Sequence, residues 1–318
     1  MSRPDPPGRP EQGGRRELAV VVVTYRTREL VRRCVESVLA DLPPGVPARI
    51  IVVDNASGDG TVEMFRRDFP EVQVIANAEN RGPAAAYNQG VQTGLEADFI
   101  LMLNSDIELL PGTIGPMLDY LHAHPEVSGV LGRLYNPDGT PQYMRVQIKQ
   151  WHEPPWDRPF AATFVSTCFL MARREAFLRV GLFDEAYYFH NEDLDWSERA
   201  TRLGLRFMYL PSVRVRHHGS AGKNQNPGPI LAALFPSNLY YFHKFYGPVA
   251  ARLALWAMLL QIRLELRKLA REAAASRDPA ERERLQQAME YYKAGRARML
   301  ALARSGKLPH WRPDRPDR

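Results

Sequence analysis

The sequence predicts an α/β protein with a mostly parallel central sheet flanked by helices, followed by a helical extension. Between residues 18 and 123, four apolar strand-like runs alternate with four amphipathic helix-like segments across short connections. This alternation is typical of a parallel sheet with helices on both faces. From Ile230 to Ser305 the apolar residues recur only at helical spacing. We therefore expect one large domain and an all-helical C-terminal part.

The first half of the chain supplies strands and helices in turn. Its strands are continuous apolar, β-branched runs, as in strands that are buried on both faces. The expected strands are 18–24, 48–54, 72–76 and 97–103, and the expected helices are 28–40, 61–69, 83–95 and 111–123. Ligands bind at the carboxyl ends of the strands in such sheets. The polar residues that end these four strands are therefore the first candidates for a site.

The pattern changes after Val127. Asn136-Pro-Asp-Gly139 is a strong turn signal, and we interpret the Pro- and Trp-rich stretch 151–160 as a mobile loop. The expected elements after it are a strand at 164–172, a short helix, a helix that Asn191 caps and Gly204 ends, short strands at 206–210 and 213–218, and a Pro-Gly boundary at 227–229.

Composition excludes several classes of protein. The 318 residues are 45% apolar and 25% charged, as in a folded soluble protein. No apolar run reaches the length of a membrane span, and the N-terminus lacks the apolar segment of a secretory signal. The two cysteines, Cys34 and Cys168, lack the spacing of zinc ligands. We therefore expect a cytoplasmic protein.

The net charge of +6 is unevenly distributed. Residues 263–318 contain 15 basic and 8 acidic residues, whereas residues 1–262 contain 27 and 28. A neutral body argues against a nucleic-acid-binding protein. A basic tail indicates a membrane surface, an acidic partner or a solvated helix.

Residues 251–271 are the part of the tail that could contact a membrane. An apolar run is followed by Arg263, Arg267 and Arg271, four residues apart. A helix of this kind suits the headgroup region of a bilayer, to which the protein would bind peripherally. The alternatives are a helical hairpin packed on the body and a homodimer contact.

Two of the strand ends carry carboxylates. Asp54 could accept a hydrogen bond from an N–H group such as that of a pyrimidine ring, or could form only an Asx-type turn with Ser57, and both can hold together. Asn104-Ser105-Asp106 offers one carboxylate flanked by small oxygen donors. Such a group suits Mg²⁺ or Mn²⁺ shared with substrate phosphates, and a plain strand-end turn is the alternative.

Two further groups lie in the second half. Glu192, Asp193 and Asp195 are expected in the first turn of a helix, where they complement the helix dipole. A carboxylate held there is also a competent general base. Strand alternation directs His217 inward and His218 outward, so His217 is either a site residue or a satisfied core residue.

The order of these motifs resembles that of family 2 glycosyltransferases with the GT-A fold, especially the bacterial branch that includes rhamnosyltransferases. The resemblance covers roughly residues 17–245. The matching segments are VVVTYRTRELVRRCVESVL, IIVVDNASGDGT, NRGPAAAYNQG followed by ADFILMLNSDIEL, and FDEAYYFHNEDLDWSERATRLG followed by HH.

The resemblance implies inverting transfer of a sugar from a nucleoside-diphosphate donor, dTDP-rhamnose or a UDP-sugar, to a glycan or lipid-linked acceptor in cell-surface polysaccharide synthesis. Asp193 would be the catalytic base, and Asp106 and His217 would hold Mg²⁺ or Mn²⁺ on the diphosphate. The acceptor side would contain Glu192, Asp195 and Trp196, with Glu192 and Asp195 supporting the acceptor or the helix. The sugar nucleotide would be bordered by Thr24, Tyr25, Arg26, Asp54, Ser57, Asn80, Gly82, Asn88 and Ser105.

Composition and pattern predict a disordered arm at 1–16, a helical extension at 229–305 and a polar tail at 306–318. The resemblance implies that the body between them, 17–228, is a GT-A domain. Two positions depart from the family pattern, which usually has Asp where Asn104 stands and an aromatic residue where Pro83 stands.

Two other functions stay open. A nucleotidyltransferase would carry a Gly-rich, basic phosphate loop early in the chain, and VTYRTRE has no such glycines. A non-catalytic module that binds sugar nucleotides or polysaccharide would not need Asp106, Asp193 and His217 together.

Overall fold

The computed structural model describes residues 17–142, 156–162, 164–187, 189–219 and 227–305, with the backbone alone for 227–233 and Ser305. The expected arm at 1–16, the expected tail at 306–318 and half of the expected loop at 151–160 lie outside these residues. The part of that loop that is described packs inward, because the Trp156 and Phe160 rings contact Tyr209.

The strand–helix alternation of the first half is confirmed, with bounds close to the expected ones. In chain order the elements are β1 (Leu18–Thr24), α1 (Arg28–Asp41), β2 (Ala48–Asp54), α2 (Thr61–Asp68), β3 (Gln73–Ala76), α3 (Gly82–Gly94), β4 (Phe99–Asn104), β5 (Ile107–Leu109) and α4 (Ile114–Ala123). Helix α4 begins three residues later than expected. Asp41 explains its start, because its carboxylate accepts hydrogen bonds from the backbone N–H groups of residues 112–114.

The second half adds strands to the same sheet and a helical hairpin. Its elements are β6 (Gly129–Tyr135), β7 (Phe160–Ala161), β8 (Phe169–Arg173), α5 (Arg174–Val180), α6 (Glu192–Arg202), β9 (Phe207–His217), α7 (Pro227–Ala275) and α8 (Pro279–Ser305). The strand order is β3-β2-β1-β4-β8-β6-β9-β5, and β7 also pairs with β9. Strands β3, β2, β1 and β4 are parallel, and β8 is antiparallel to both of its neighbours.

Two layers of helices cover the sheet. Val20 and Val22 of β1 belong to the core that α1, α2 and α4 cover, whereas Val21 belongs to the core under α3, α5 and α6. Helix α3 packs so closely on β1 that a Cβ at Gly90 would collide with the Cγ1 methyl of Val21. The carboxyl ends of β1, β2 and β4 therefore lie side by side between the two layers, with Thr24 opposite Asp54 and Val23 opposite Asn104.

Three local predictions are wrong. The strand expected at 164–172 begins only at Phe169, because Ser166 Oγ accepts from the Cys168 N–H and a turn precedes the strand. The strands expected at 206–210 and 213–218 are one strand, β9. Its register with β6 shifts between Gly132 and Arg133, and this irregularity accommodates Pro211.

The third concerns the start of α6. Asn191 is the N-cap residue, but its side chain makes no capping hydrogen bond and donates instead to Asn238 of α7. The end of the helix is as expected: Gly204 has φ of 72°, and its N–H donates to the Thr201 carbonyl.

Helices α7 and α8 form a hairpin with its own small core, which includes Phe235, Leu239, Met258, Met299 and Leu302. Helix α7 is interrupted at Gly247, whose φ of 80° and ψ of 179° are not helical. Among the described residues, no helix has the length and apolarity needed to cross a membrane.

Candidate active site

The Asp54 carboxylate lies at the carboxyl end of β2, and only 3% of the residue is exposed. Its Oδ2 accepts a hydrogen bond of 3.1 Å from the Ser57 N–H, so the predicted Asx-type turn is confirmed. Its Oδ1 is buried and has no hydrogen-bond partner. Because an unsatisfied buried acceptor is costly, Oδ1 is suited to accept from an N–H group of a ligand.

Asn55 organises the loops next to Asp54. Its Nδ2 donates to Asn80 Oδ1 at 2.9 Å and to the Gly82 carbonyl at 3.2 Å. Its Oδ1 accepts from Asn77 Nδ2 and from the Arg81 N–H. The φ of Gly82 is 79°, a value that favours glycine. Asn80 and Gly82 are thereby fixed beside the end of β2.

Hydroxyl groups connect the ends of β1 and β4. Thr24 Oγ1 lies 2.9 Å from Thr27 Oγ1, which lies 2.8 Å from Ser105 Oγ. Tyr25 and Arg26 are exposed beside these hydroxyl groups. The Arg26 guanidinium lies 5.1 Å from the centre of the Tyr25 ring. An exposed cation next to an aromatic ring can contact an anionic or planar ligand.

Asp106 and His217 face each other, with 3.3 Å between Asp106 Oδ1 and His217 Nε2. The other ring nitrogen, Nδ1, lies 2.7 Å from Gln142 Oε1. The Gln142 amide donates to the His217 carbonyl and to Asn136 Oδ1, so its oxygen faces the ring and Nδ1 is the donor. In a neutral imidazole Nε2 is then an acceptor facing a carboxylate. Two facing acceptors require a proton or a metal ion between them.

His218 belongs to a different cluster, as strand alternation predicts. Its Nε2 lies 2.9 Å from Glu108 Oε2, and Arg216 donates to the other oxygen of Glu108 at 2.6 Å. Burial alone would raise the pKa of Glu108, but the hydrogen bonds from His218 and Arg216 lower it. His218 is therefore occupied by a structural carboxylate, whereas His217 faces Asp106.

Tyr87 of α3 lies between the two halves of the site. Its hydroxyl donates a hydrogen bond of 2.7 Å to Asn104 Oδ1, so the Asn104 amide holds a buried phenol. The pKa of Tyr87 is well above its usual value. Burial is the main cause, and the nearby Cys168, Asp106 and Glu192 side chains raise it further. The Asp106 and Glu192 carboxylates therefore both lie near one phenol.

Glu192 and Asp193 begin α6 with raised pKa values. Burial, and then the charge of Asp193, raises the pKa of Glu192 to about 8, and Glu192 Oε2 is buried without a partner. Burial raises the pKa of Asp193 to about 6, although hydrogen bonds from the Leu194 backbone and from Ser166 oppose the shift. Both carboxylates are therefore more basic than ordinary ones, which suits a general base.

The turn before α6 is strained. His190 and Asn191 have φ of 66° and 72°, a conformation that costs about 1 kcal/mol or more for a residue with a side chain. Helix α7 holds the turn, because Ser237 Oγ donates to the Phe189 carbonyl at 3.0 Å and Asn191 Nδ2 donates to Asn238 Oδ1 at 2.8 Å.

Asp195 and Trp196 are buried and make their contacts within the protein. Asp195 is fully buried and pairs with Arg199 Nε at 2.7 Å and with Lys244 of α7, so of its two expected roles the support of the helix is the one observed. Trp196 is 1% exposed, its ring packs on Phe177, and its indole N–H donates to the Gly181 carbonyl. The Trp196 ring is part of the core, and its predicted place on the acceptor side stays a prediction.

Asn88 is committed to the protein itself. Its Oδ1 accepts from the Phe183 N–H at 2.9 Å, and its Nδ2 donates to the Phe183 carbonyl and to Glu185 Oε1. Asn88 therefore anchors the segment that leads towards α6. Its predicted place beside a sugar nucleotide stays a prediction.

The comparisons with known proteins agree with this geometry. The chain matches the family model "Glycosyl transferase family 2" over residues 19–181, just over half of its length. The chain belongs to glycosyl transferase family 2.

The glycosyltransferase is 30% identical over 252 residues to an N-acetylglucosaminyl-diphospho-decaprenol L-rhamnosyltransferase of Mycobacterium tuberculosis, covering 68% of this chain and 80% of the relative. It is 24% identical over 177 residues to the dTDP-rhamnosyl transferase RfbF of Shigella flexneri, covering 53% of this chain and 59% of the relative.

A solved structure confirms the fold of the glycosyltransferase. The crystal structure of GalNAc-T7 with UDP, GalNAc and Mn²⁺ superposes with a TM-score of 0.51 at 18% identity, covering 63% of this chain and 42% of that protein. The expected GT-A architecture, a mostly parallel sheet flanked by helices, is the one observed.

The residues at Asp106 fit a divalent cation that also binds a ligand. The described residues contain no group of three or more His, Cys, Asp or Glu side chains able to hold a metal ion, so Asp106 and His217 would be two protein ligands. Mg²⁺ commonly keeps few protein ligands and completes its shell with phosphate oxygens and water. The hydrogen bond from His217 Nδ1 to Gln142 is the outer-shell contact that leaves Nε2 free to ligate.

Asn55 is one of the polar strand-end residues that the sequence marks as candidates, although its role in fixing the loops has no signal of its own. Three residues of the site could not be found from the sequence. Tyr87, Gln142 and Ser166 reach the site from α3 and from two irregular segments. Their partners are distant in sequence, so no local spacing identifies them.

Proposed function

We propose that the protein is an inverting hexosyltransferase that transfers a sugar, rhamnose from dTDP-rhamnose or a sugar from a UDP-sugar, to a lipid-linked glycan in cell-surface polysaccharide synthesis. The observation that supports it best is the placing of an unpartnered Asp54 Oδ1 and the facing Asp106 and His217 side chains at one sheet edge, with the Asp193 carboxylate, whose pKa burial raises, at the start of α6. The names of the M. tuberculosis and S. flexneri relatives favour rhamnose and a lipid-diphosphate acceptor. Such an acceptor would bring the enzyme to a membrane surface, and we place it peripherally at the inner, cytoplasmic face.

The donor would occupy the ends of β1, β2 and β4. The free Oδ1 of Asp54 would accept from the N–H of a pyrimidine base, and Ser105 would lie near the ribose. Asp106 and His217 would hold Mg²⁺ or Mn²⁺, and the bound ion would offset the charge that develops on the leaving diphosphate. Asn80 and Gly82 would border the sugar nucleotide.

The transfer needs one displacement. Asp193 takes the proton of an acceptor hydroxyl, and the oxygen attacks the anomeric carbon from the face opposite the leaving group. The bond to the diphosphate oxygen breaks, and the nucleoside diphosphate leaves with the electron pair. Because the attack is in line, the configuration of the anomeric carbon is inverted. Burial raises the pKa values of both Glu192 and Asp193, and Asp193 is the one assigned as the base.

The test is transfer to an N-acetylglucosaminyl-diphospho-polyprenol acceptor from a panel of dTDP-, UDP- and GDP-sugars with Mg²⁺ or Mn²⁺. We expect release of the nucleoside diphosphate with one donor and a product whose anomeric configuration, determined by NMR, is inverted. Retained configuration contradicts the mechanism, and the absence of transfer with every donor contradicts the function. A module that only binds would raise Tm with a sugar nucleotide by mass action but would release no nucleoside diphosphate.

A further inference from the structure

Five large apolar side chains lie exposed in one line on α7. They are Val249, Leu253, Trp256, Leu260 and Leu264, each between 54% and 71% exposed. Steps of three or four residues keep them on one helix face. Elsewhere among the described residues, five large apolar side chains are exposed, and two of these, Phe242 and Tyr246, precede the stripe on the same helix. We refer to the five residues as the α7 stripe.

The stripe points away from the rest of the protein. The opposite face of α7 carries Ala251, Met258 and Ile262, which are buried in the core of the hairpin against Met299 and Leu302 of α8. The hairpin that was the alternative to a membrane contact is therefore present, and it uses the other face of the helix. No element of the described chain covers the stripe.

Cations border the stripe, and carboxylates are absent from its face. At about 100° per residue, Arg252 and Arg263 lie along one side of the stripe, while Arg267 and Arg271 continue its face beyond Leu264, and all four are exposed. The sequence has no Asp or Glu between Glu198 and Glu265, and Glu265 lies on a flank turned away from the stripe.

This charge pattern selects the occupant. We propose that the α7 stripe docks on an anionic lipid surface, with the helix in the plane of the headgroups. A straight stripe over 249–264 is about 22 Å long and fits a flat surface. Its apolar side chains and tryptophan would enter the boundary of the acyl chains while the arginines reach the phosphates. Two copies of this face would instead bring cations together without carboxylates to pair with them.

Docking would also orient the active site. The part of α7 before the interruption at Gly247 holds the turn before Asp193 through Asn238 and anchors Asp195 through Lys244. The stripe begins two residues after this interruption, next in the chain to the segment that contacts the α6 side of the site. Its use for a lipid-linked acceptor rests on the proposed function, whereas the surface itself does not.

The experiment is sedimentation of the full chain with two kinds of vesicle, at low and at high salt. One kind is phosphatidylcholine alone, and the other also contains about 30 mol% phosphatidylglycerol. Two variants separate the contributions: Leu253→Ser/Trp256→Ser/Leu260→Ser removes apolar area, and Arg263→Gln/Arg267→Gln/Arg271→Gln removes charge. The matched control is Leu178→Ser/Leu203→Ser, which changes apolar residues that are also exposed but lie off α7. Light scattering of each protein gives its oligomeric state, and release of nucleoside diphosphate with a water-soluble acceptor is measured in parallel.

We expect binding to the anionic vesicles alone, weakened by salt, and at least about tenfold weaker for either stripe variant than for the control. Equal binding of stripe variant and control, or binding to neutral vesicles alone, overturns the proposal. A stable dimer that the Leu253→Ser/Trp256→Ser/Leu260→Ser variant dissociates overturns it in favour of a second copy. If the protein does not bind vesicles but releases nucleoside diphosphate normally, the docking surface is rejected and the function is not. If it binds anionic vesicles but releases no nucleoside diphosphate, the function alone is rejected.

Discussion

Asp193 must be ionised to accept a proton, and burial places its pKa near 6. We therefore expect kcat/KM to rise with pH through about 6. Asp193→Asn removes the base while keeping its shape, so turnover should fall by about two to four orders of magnitude and donor binding should change little. Initial rates between pH 5 and 9 check this. Glu198→Gln, an equivalent change on the same helix, is the control, and a turnover within twofold of the unchanged enzyme for Asp193→Asn would remove Asp193 from this role.

Glu192 connects the same pair to stability. Its pKa is higher in the folded protein, about 8, than its ordinary value of 4.5, so between these pH values the folded protein binds more protons than the unfolded chain. The free energy of unfolding therefore falls as pH rises through this window. Glu192→Gln removes the ionisation, and we expect its Tm to exceed that of the unchanged protein by a few degrees at pH 8 but not at pH 5. A difference in Tm that is the same at both pH values contradicts the assignment.

The Asp106–His217 pair makes a prediction about metal dependence. Asp106→Ala and His217→Ala should each weaken binding of the nucleoside diphosphate in Mg²⁺ or Mn²⁺ by about tenfold or more. His218→Ala should not, because His218 contacts Glu108 instead. Calorimetric titration with and without EDTA measures this. Unchanged binding and activity in EDTA would mean that Asp106 and His217 act without a metal.

Residues of the site could be predicted where position along an element marks them. Asp54 and Asp106 follow apolar strands, and Asp193 begins a helix, so topology brings them to one region. The burial of Trp196 could not be predicted because its neighbours in sequence are polar, whereas packing among aromatic rings decides where it lies. Gln142 could not be predicted, because it lies 75 positions in sequence from His217, the residue that it contacts.

Elements followed the sequence where burial gives a continuous signal. The parallel strands β1, β2 and β4 are apolar over most of their length, and the bounds of all four parallel strands were predicted to within two residues. Strand β9 was predicted as two pieces, because Pro211 and Ser212 interrupt the apolar alternation. The pairing with β6 continues past this interruption through a shift in register, and such long-range pairing is not encoded in the local pattern.

Helix α7 makes a prediction about the strained turn before α6. Asn238→Ala removes the hydrogen bond to Asn191, which is worth about 1 kcal/mol, and frees a turn with two left-handed residues. We expect kcat to fall about fivefold with little change in the affinity for the donor, because the donor contacts lie at β1, β2 and β4. Gln261→Ala, an exposed amide on the same helix, is the control. A fall in donor affinity with unchanged kcat would mean that the turn does not position Asp193.

At the scale of the whole molecule, the first part of α7 contacts two different regions of the protein. Ser237, Asn238 and Lys244 contact the segment around α6, whereas Phe235 and Leu239 pack in the core of the hairpin with α8. The two sets share one stretch of helix, so the hairpin and the sheet should unfold together. The boundary predicted near residue 228 separates the elements in sequence, and the contacts of α7 connect them.

A truncation tests this coupling. Removing residues 276–318 deletes α8, which uncovers Phe235 and Leu239 without changing any residue of the site. Each buried side chain of this size contributes about 1.5–3 kcal/mol, so we expect Tm to fall by about 5 °C or more, and turnover to fall because Asn238 no longer holds the turn before Asp193. Removing residues 306–318 alone is the control and should shift Tm by about a degree or less, since the hairpin core is intact. Calorimetry should show one transition for the full chain. If the chain that lacks α8 kept the full Tm and turnover, or if the full chain melted in two separate steps, the hairpin would be an independent appendage and α7 would not transmit its packing to the active site.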